Sequence, residues 1–150
     1  MSYTRGLIDT NIVIHLAALD SDDLPDEMVI SAITLAELSA GPHHATDPAE
    51  RARRTNVLQH AEATFEPLPF DAKAARAFGL ICAAVLAIGR TPRRRIADLM
   101  IAAVAAAYQI PLYTTNPGDF KGLDQLIAVK PVQRPRTTVS AGHRATHPPD

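Results

Sequence analysis

The sequence has little of several residue types on which common protein classes depend. Cys82 is the one cysteine among 150 residues, so no disulfide can form within the chain, as is typical of a reducing compartment. Tryptophan is absent and aromatic residues make up 5%, so side chains that stack on nucleic-acid bases are scarce. The longest apolar run, at residues 99–108, is too short for a membrane span, and residues 1–5 lack the apolar core of a signal peptide. We therefore expect a cytoplasmic protein.

The chain as a whole also lacks an excess of either charge. Lys and Arg number 15 and Asp and Glu number 16, which argues against a protein that binds nucleic acid over a uniformly basic surface. The two signs are nevertheless separated, since residues 1–50 carry one base against nine acids and residues 51–150 carry fourteen bases against seven acids. This distribution is compatible with a local acidic site beside a basic region.

The pattern of apolar residues predicts the fold class. Apolar residues make up 47% of the chain, enough for the core of one domain. Short apolar runs alternate with helical segments, which predicts an α/β fold with a mainly parallel sheet of four or five short strands. The expected strands lie at residues 6–8, 28–30, 65–70, 112–114 and 126–129. The expected helices run over 12–19, from the cap Ser31 through Leu38, from Asp47-Pro48, from the cap Asp71 to about Ile88, and over 96–108, with Gly41-Pro42 stopping the second.

The composition changes near the carboxyl end. Four of the last twenty residues are proline, and residues 131–150 contain no Leu, Ile, Phe or Met. We therefore expect one domain over residues 1–130 and a flexible tail over residues 131–150.

Four acidic residues occupy positions that suggest a site. Asp9 follows the first expected strand and Asp119 follows the strand at 112–114, so both belong to the sheet edge where ligands bind in open parallel sheets. Glu37 and Asp98 lie in helices that are apolar nearly all round. Each acid also has an ordinary structural interpretation: Asp9 as an N-cap, Asp98 at the positive end of a helix, Asp119 in a turn, and Glu37 at the edge of a buried face.

Taken together, the four acids predict a metal site. Strand ends and helix starts converge on one crevice of a parallel sheet, and carboxylates gathered there raise each other's pKa unless a cation neutralises them. Oxygen ligands select hard ions, so Mg²⁺ or Mn²⁺ is the expected occupant. Because such an ion polarises a phosphoryl oxygen and activates water, the chemistry indicated is hydrolysis of a phosphate ester.

Four segments in sequence order resemble the motifs of a known family. They are Leu-Ile-Asp-Thr-Asn at 7–11, Thr-Leu-Ala-Glu-Leu at 34–38, Ala-Asp-Leu-Met-Ile-Ala-Ala at 97–103 and Leu-Tyr-Thr-Thr-Asn-Pro-Gly-Asp-Phe at 112–120. The set resembles the PIN-domain ribonucleases, and most closely the VapC-type toxins of bacterial type II toxin–antitoxin modules, over about residues 6–130. The resemblance implies a three-layer α/β/α fold and a metal-dependent endoribonuclease.

The resemblance also implies roles for individual residues. The four acids would surround Mg²⁺, Asp9 and Asp98 as direct ligands and the other two directly or through water. Thr115 and Asn116 match the polar pair that supports the site. The family further implies a homodimer, for which the Ala-rich helix at 72–88 offers apolar surface.

A cognate antitoxin is the partner that the resemblance implies. The acids of residues 1–50 would attract a basic side chain of that partner to the crevice. Ile12, Leu16 and Leu19 on the first helix would offer a groove for an amphipathic partner segment.

Other candidate residues have two interpretations each. Arg93, Arg94 and Arg95 precede Asp98 and would either bind RNA phosphates or form an ordinary solvated helix entrance. The adjacent pair at 43 and 44, both histidine, is expected in an exposed loop rather than in a metal site.

Two alternative functions differ in class from the ribonuclease. One is a PIN-like RNA-binding module without catalysis, against which the full set of four acids argues. The other is a receiver-type signalling domain, which also clusters acids at strand ends but needs a lysine near the end of a late strand. Lys121 and Lys130, the late lysines of this chain, do not follow a strand in that way.

Overall fold

A computed structural model describes residues 3–135 and contains a five-stranded, wholly parallel sheet with the strand order β3-β2-β1-β4-β5. This confirms the α/β prediction. Leu7 of β1 is in register with Val29 of β2 and with Leu112 of β4, so β1 lies at the centre of the sheet. The strands are β1 (Arg5–Ile8), β2 (Glu27–Ser31), β3 (Pro67–Leu68), β4 (Leu112–Thr114) and β5 (Val129–Pro131).

The last strand lies later in the chain than the prediction of residues 126–129. The backbone N–H groups of Leu126 and Ile127 both donate to the carbonyl of Leu123, which holds these apolar residues in a turn against the core. The strand β5 that follows lies at the sheet edge. Pro131 is tolerated there because an edge strand does not need every backbone N–H for hydrogen bonds to a neighbouring strand.

The expected boundary between residues 130 and 131 therefore passes through β5. Val132 is buried, and its N–H donates to the Thr114 carbonyl at 2.8 Å, so the first residues of the expected tail pack on the domain. Residues 136–150 lie outside the described residues, and their assignment to a flexible tail stays a prediction.

Five helices connect the strands, and four of them begin at a polar N-cap. Asp9, Ser31, Asp47 and Asp71 each accept a backbone N–H of the following turn. The helices are α1 (Thr10–His15), α2 (Ala32–His44), α3 (Pro48–Thr64), α4 (Ala72–Ala87) and α5 (Ile96–Tyr108). The first is shorter than expected, since a 3₁₀ turn (Leu16–Ala18) replaces its last part.

Helix α2 does not stop at Gly41-Pro42, contrary to the prediction. It continues to His44 because α3 supplies donors to its last carbonyls: Arg54 Nη1 donates to Gly41 O at 2.9 Å, and Arg51 Nε donates to Pro42 O at 3.3 Å. The histidine pair consequently lies in the last turn of a helix rather than in a loop, although it is exposed as expected.

The sheet separates two hydrophobic clusters, which gives the three layers. Leu7 and Leu112 belong to the cluster formed with α4 and α5, whereas Ile8, Ile30 and Tyr113 belong to the cluster formed with α1, α2 and α3. Helix α5 is the most buried helix, with six fully covered side chains, in keeping with a sequence that carries no charge after Asp98. Within residues 3–135, no helix is both long enough and apolar enough to cross a bilayer.

Candidate active site

Asp9 is the anchor of the site and is buried at the carboxyl end of β1. Both of its carboxylate oxygens are engaged: Oδ1 accepts the Thr10 N–H at 2.7 Å and Oδ2 accepts the Thr114 hydroxyl at 3.0 Å. The first contact makes Asp9 the N-cap of α1, so its structural role and its place in the site are compatible.

Burial raises the pKa of the Asp9 carboxyl, and the negative charge of Asp98 raises it further. The hydrogen bonds from Thr114 and Thr10 act in the opposite direction, because they stabilise the ionised form. The charge on Asp9 is therefore stabilised by two uncharged donors, and none of the ion pairs among residues 3–135 involves this carboxylate.

Asp98 lies in the first turn of α5 and is half-buried. Burial raises the pKa of its carboxyl, the charge of Glu37 raises it again, and the Arg95 guanidinium lowers it. Asp9, Asp98 and Glu37, which come from three different elements, are thus electrostatically linked, as the sequence predicted from strand ends and helix starts.

Glu37 is exposed, so the apolar surroundings expected for it from the sequence are not found. Its Oε1 accepts the Thr10 hydroxyl at 2.7 Å. Because this bond uses the single hydroxyl proton of Thr10, the 3.0 Å contact between the Thr10 and Thr34 hydroxyl oxygens has Thr34 as its donor. Ser31 in turn donates to Thr34 at 3.4 Å, which completes a chain of hydroxyls ending on the carboxylate.

These three acids line one cavity of about 580 Å³, which we call the acidic cavity. Its opposite wall is formed by α3, where Arg53 and Arg54 both bind Glu50. Throughout residues 3–135, no three His, Cys, Asp or Glu side chains are close enough to hold one metal ion without rearranging. The described conformation therefore gathers the acids around a shared space but not into a closed ligand set.

The fourth predicted acid, Asp119, lies apart from the other three. It stands in a 3₁₀ turn (Pro117–Phe120) and forms an ion pair with Arg95. It lines a neighbouring cavity of about 460 Å³, which we call the basic cavity because Arg90, Arg94, Arg95 and Lys121 also line it.

The polar residues around the acids differ from those that the sequence singled out. Thr115 and Asn116 contact each other at 3.4 Å, and neither lines the acidic cavity. Thr114 and Thr10, which sequence reasoning missed, make the direct contacts to the acids. The role of Thr114 could have been predicted, since this residue ends the strand next to β1 and so lies at the same sheet edge as Asp9.

The arginine run lies in a 3₁₀ turn (Pro92–Arg95) directly before α5. Arg94 and Arg95 line the basic cavity, whereas Arg93 is exposed and lines neither cavity. Two of the three arginines therefore line one cavity together, and the third lies outside it.

Comparisons with known proteins agree with this architecture. The chain matches the PIN domain family over residues 7–126. It is 37% identical to Ribonuclease VapC5 of Mycobacterium tuberculosis over 128 residues, covering 83% of this chain and 92% of the relative, and 36% identical to Ribonuclease VapC4 of the same organism over 122 residues, covering 77% and 89%.

Comparison with solved structures also finds proteins of similar fold and related sequence. The VapBC-5 structure from Mycobacterium tuberculosis, a member of the VapBC family of toxin-antitoxin systems, superposes with a TM-score of 0.75 at 36% identity, covering 87% of this chain and 99% of that chain. A DNA-bound VapBC from Salmonella typhimurium superposes with a TM-score of 0.68 at 25% identity, covering 85% and 98%. This chain therefore belongs to the PIN-domain family, and the two relatives compared above carry the name Ribonuclease VapC.

Proposed function

We propose that this protein is a metal-dependent endoribonuclease that acts as the toxin of a toxin–antitoxin pair. The observation that carries the proposal is the acidic cavity, in which Asp9, Glu37 and Asp98 meet from three elements at the carboxyl edge of the sheet. Relatives named as VapC ribonucleases and solved VapBC toxin–antitoxin structures support the activity and the biological role.

The donor set of the acidic cavity fits a hard divalent cation. All three groups are carboxylates, and the pKa of both Asp9 and Asp98 is raised in part by the charge of a neighbouring acid, a repulsion that a cation would relieve. Asp9 and Asp98 would hold Mg²⁺ or Mn²⁺, and Glu37 would bind it directly or through the water that Mg²⁺ retains. Asp119 would join only after release from Arg95.

A bound Mg²⁺ would supply Lewis-acid polarisation of a phosphoryl oxygen and a water of lowered pKa. The protein's own contribution is the orientation of the ligands. Thr114 and the Thr10 N–H fix Asp9, and the Thr10 hydroxyl fixes one oxygen of Glu37. These are the contacts that hold carboxylate ligands in place at metal sites and tune them.

A cognate antitoxin is the partner that we propose, as in the VapBC structures. The acidic cavity provides negative charge for a basic side chain of that partner, and the exposed apolar residue Ile14 lies on its rim. Ile12, which the sequence placed in a partner groove, is fully buried in the core, whereas Leu16 and Leu19 are half-buried.

The structure gives no support to the signalling alternative. A receiver domain needs a lysine beside its acids, but Lys121 lines the basic cavity rather than the acidic one, and Lys130 is exposed on the edge strand β5.

The proposal is tested by incubating the purified protein with total cellular RNA in Mg²⁺ or Mn²⁺, with and without excess EDTA. We expect cleavage that EDTA abolishes and that added divalent ion restores. Binding of RNA without cleavage under any divalent ion would identify a non-catalytic module instead. The partner is tested by co-expression with the product of the neighbouring small reading frame, and a complex that still cleaves RNA would contradict control by that partner.

A further inference from the structure

The basic cavity is separate from the acidic cavity but adjoins it. Leu99 lines the basic cavity and Asp98, its neighbour in the chain, lines the acidic cavity, so the first turn of α5 forms the wall between the two. The Arg95 guanidinium on the basic side is close enough to affect the pKa of Asp98 on the other.

The charges of the basic cavity are not balanced internally. Four cationic side chains and one carboxylate line it, and that carboxylate, Asp119, is already paired with Arg95. Among residues 3–135, neither Arg90, Arg94 nor Lys121 forms an ion pair with an acid. The cavity therefore retains excess positive charge suited to an anion.

One cation of the basic cavity is fixed in place before any ligand arrives. Helix α4 ends in a Schellman motif, in which the Gly89 N–H donates to Leu86 O at 2.9 Å and the Arg90 N–H donates to Val85 O at 3.1 Å, with Gly89 at φ 77°. Arg90 Nη1 then donates to Gly118 O at 2.8 Å, which ties this loop to the turn that carries Asp119.

The lining of the basic cavity suits a phosphate better than a base. Its apolar members are the aliphatic Val85 and Leu99, and no aromatic residue of the described part of the chain lines it. Recognition by charge without stacking is typical of contact with a nucleic-acid backbone.

We propose that the basic cavity binds a backbone phosphate of the RNA next to the phosphate that is cleaved, with Arg94 and Lys121 as the contacting cations and Arg90 as the residue that positions the loop. This inference rests on the proposed ribonuclease function. A strand whose scissile phosphate lies at Asp98 would pass over the first turn of α5, which brings its neighbouring phosphate to the basic cavity.

The experiment measures binding without cleavage. A fluorescein-labelled single-stranded RNA of mixed sequence is titrated with the full chain in EDTA, and anisotropy gives Kd at several salt concentrations. We expect Arg94→Gln and Lys121→Gln each to weaken binding and to lower the slope of log K against log salt by about 0.7, the value for one lost phosphate contact. Arg76→Gln, which removes an exposed arginine of α4 that lines neither cavity, should change neither quantity.

Unchanged affinity and slope in both cavity variants would overturn the assignment while leaving the ribonuclease activity, measured separately with Mg²⁺, intact. If the wild type shows no Mg²⁺-dependent cleavage of RNA, the proposed function is overturned instead. Displacement of the RNA by a polyglutamate peptide at equal charge concentration would assign the cavity to an acidic protein segment and would also overturn the proposal.

Discussion

The Thr10 side chain donates a 2.7 Å hydrogen bond to Glu37 while the N–H of the same residue donates to Asp9 at 2.7 Å. A single residue at the start of α1 therefore positions two of the three acids of the acidic cavity.

We expect Thr10→Val to lower cleavage or metal affinity by about 10- to 100-fold, because valine keeps the backbone donor but removes the hydroxyl that orients Glu37. The measurement is initial cleavage rate against Mg²⁺ concentration. Thr10→Ser retains the hydroxyl and should restore most of the activity. Loss of activity in the serine variant but not in the valine variant would show that the methyl group, and hence packing, is what matters.

Asp9 and Asp98 should be indispensable for activity but not for folding. We expect Asp9→Asn and Asp98→Asn to abolish cleavage, since each removes a metal-binding charge. The pKa of both carboxyls is higher in the folded state than in the unfolded state. Ionised Asp9 and Asp98 at neutral pH therefore lower the free energy of unfolding. The metal-free variants should accordingly be no less stable than wild type at neutral pH.

Cleavage assays and urea unfolding in EDTA check both parts of this prediction. Asp124→Asn is the control, because Asp124 is exposed and lines neither cavity. Full activity in either site variant would contradict the assignment of the metal ligands.

Much of this site followed from the sequence, because strand ends and helix starts are local features. Asp9 ends an apolar run and Asp98 stands in the first turn of a helix with no other charge, and a parallel sheet brings such positions to one edge. The position of Asp119 could not be predicted, since its partner Arg95 is 24 residues away and the Arg90–Gly118 hydrogen bond that joins the two segments is also non-local.

Two incorrect predictions about the fold also arise from contacts between residues distant in the sequence. Pro42 is a reliable helix terminator in isolation, but arginines from α3 satisfy the carbonyls around it, and such tertiary donors leave no local signal. The apolar residues 126 and 127 belong to a turn packed on the core, and local hydrophobicity does not distinguish that environment from a strand.

The contact between β1 and β4 leaves no room for a side chain at Gly6. A Cβ there would stand 2.3 Å and 2.5 Å from the ring carbons Cε2 and Cδ2 of the buried Tyr113. We expect Gly6→Ala to lower the free energy of unfolding by ~1–3 kcal/mol, as overpacking does.

At Gly79, in the exposed middle of α4, nothing lies within 4 Å of an added Cβ. There alanine should raise stability by about 0.5–1 kcal/mol through helix propensity. Urea unfolding of both variants measures these opposite signs, and equal destabilisation would contradict the steric explanation.

The end of α5 is tied to the start of α4 by the Tyr108 hydroxyl, which donates to Asp71 at 2.8 Å. The Ala74 N–H and this hydroxyl hold the pKa of Asp71 below its usual value. A lowered pKa in the folded state stabilises the protein above the unfolded value of about 3.9, and this stability is lost as the pH falls through the lowered pKa.

Tyr108→Phe should therefore reduce stability at neutral pH and make the acid-induced loss between about pH 4 and pH 2 shallower. The urea midpoint is measured across that range for both proteins. Tyr113→Phe serves as the control, since Tyr113 belongs to the hydrophobic cluster on the other side of the sheet and the tyrosine bonded to Asp71 is Tyr108. Parallel pH profiles for Tyr108→Phe and wild type would contradict the coupling.

The exposed apolar side chains of α4 and its surroundings lead to the last prediction, a homodimer. Leu80 is 63% exposed and Leu86 60% exposed, an unusual amount of apolar surface for a helix whose other face packs on α5. We expect sedimentation velocity at micromolar concentration to give a dimer for wild type. Leu80→Glu should give a folded monomer, because a charge at a covered apolar face is costly. Ile14→Glu places the same charge on an exposed apolar residue of α1 on the other side of the sheet and should leave the dimer intact. A monomeric wild type, or a dimer that survives Leu80→Glu, would show that this face of α4 does not form the interface.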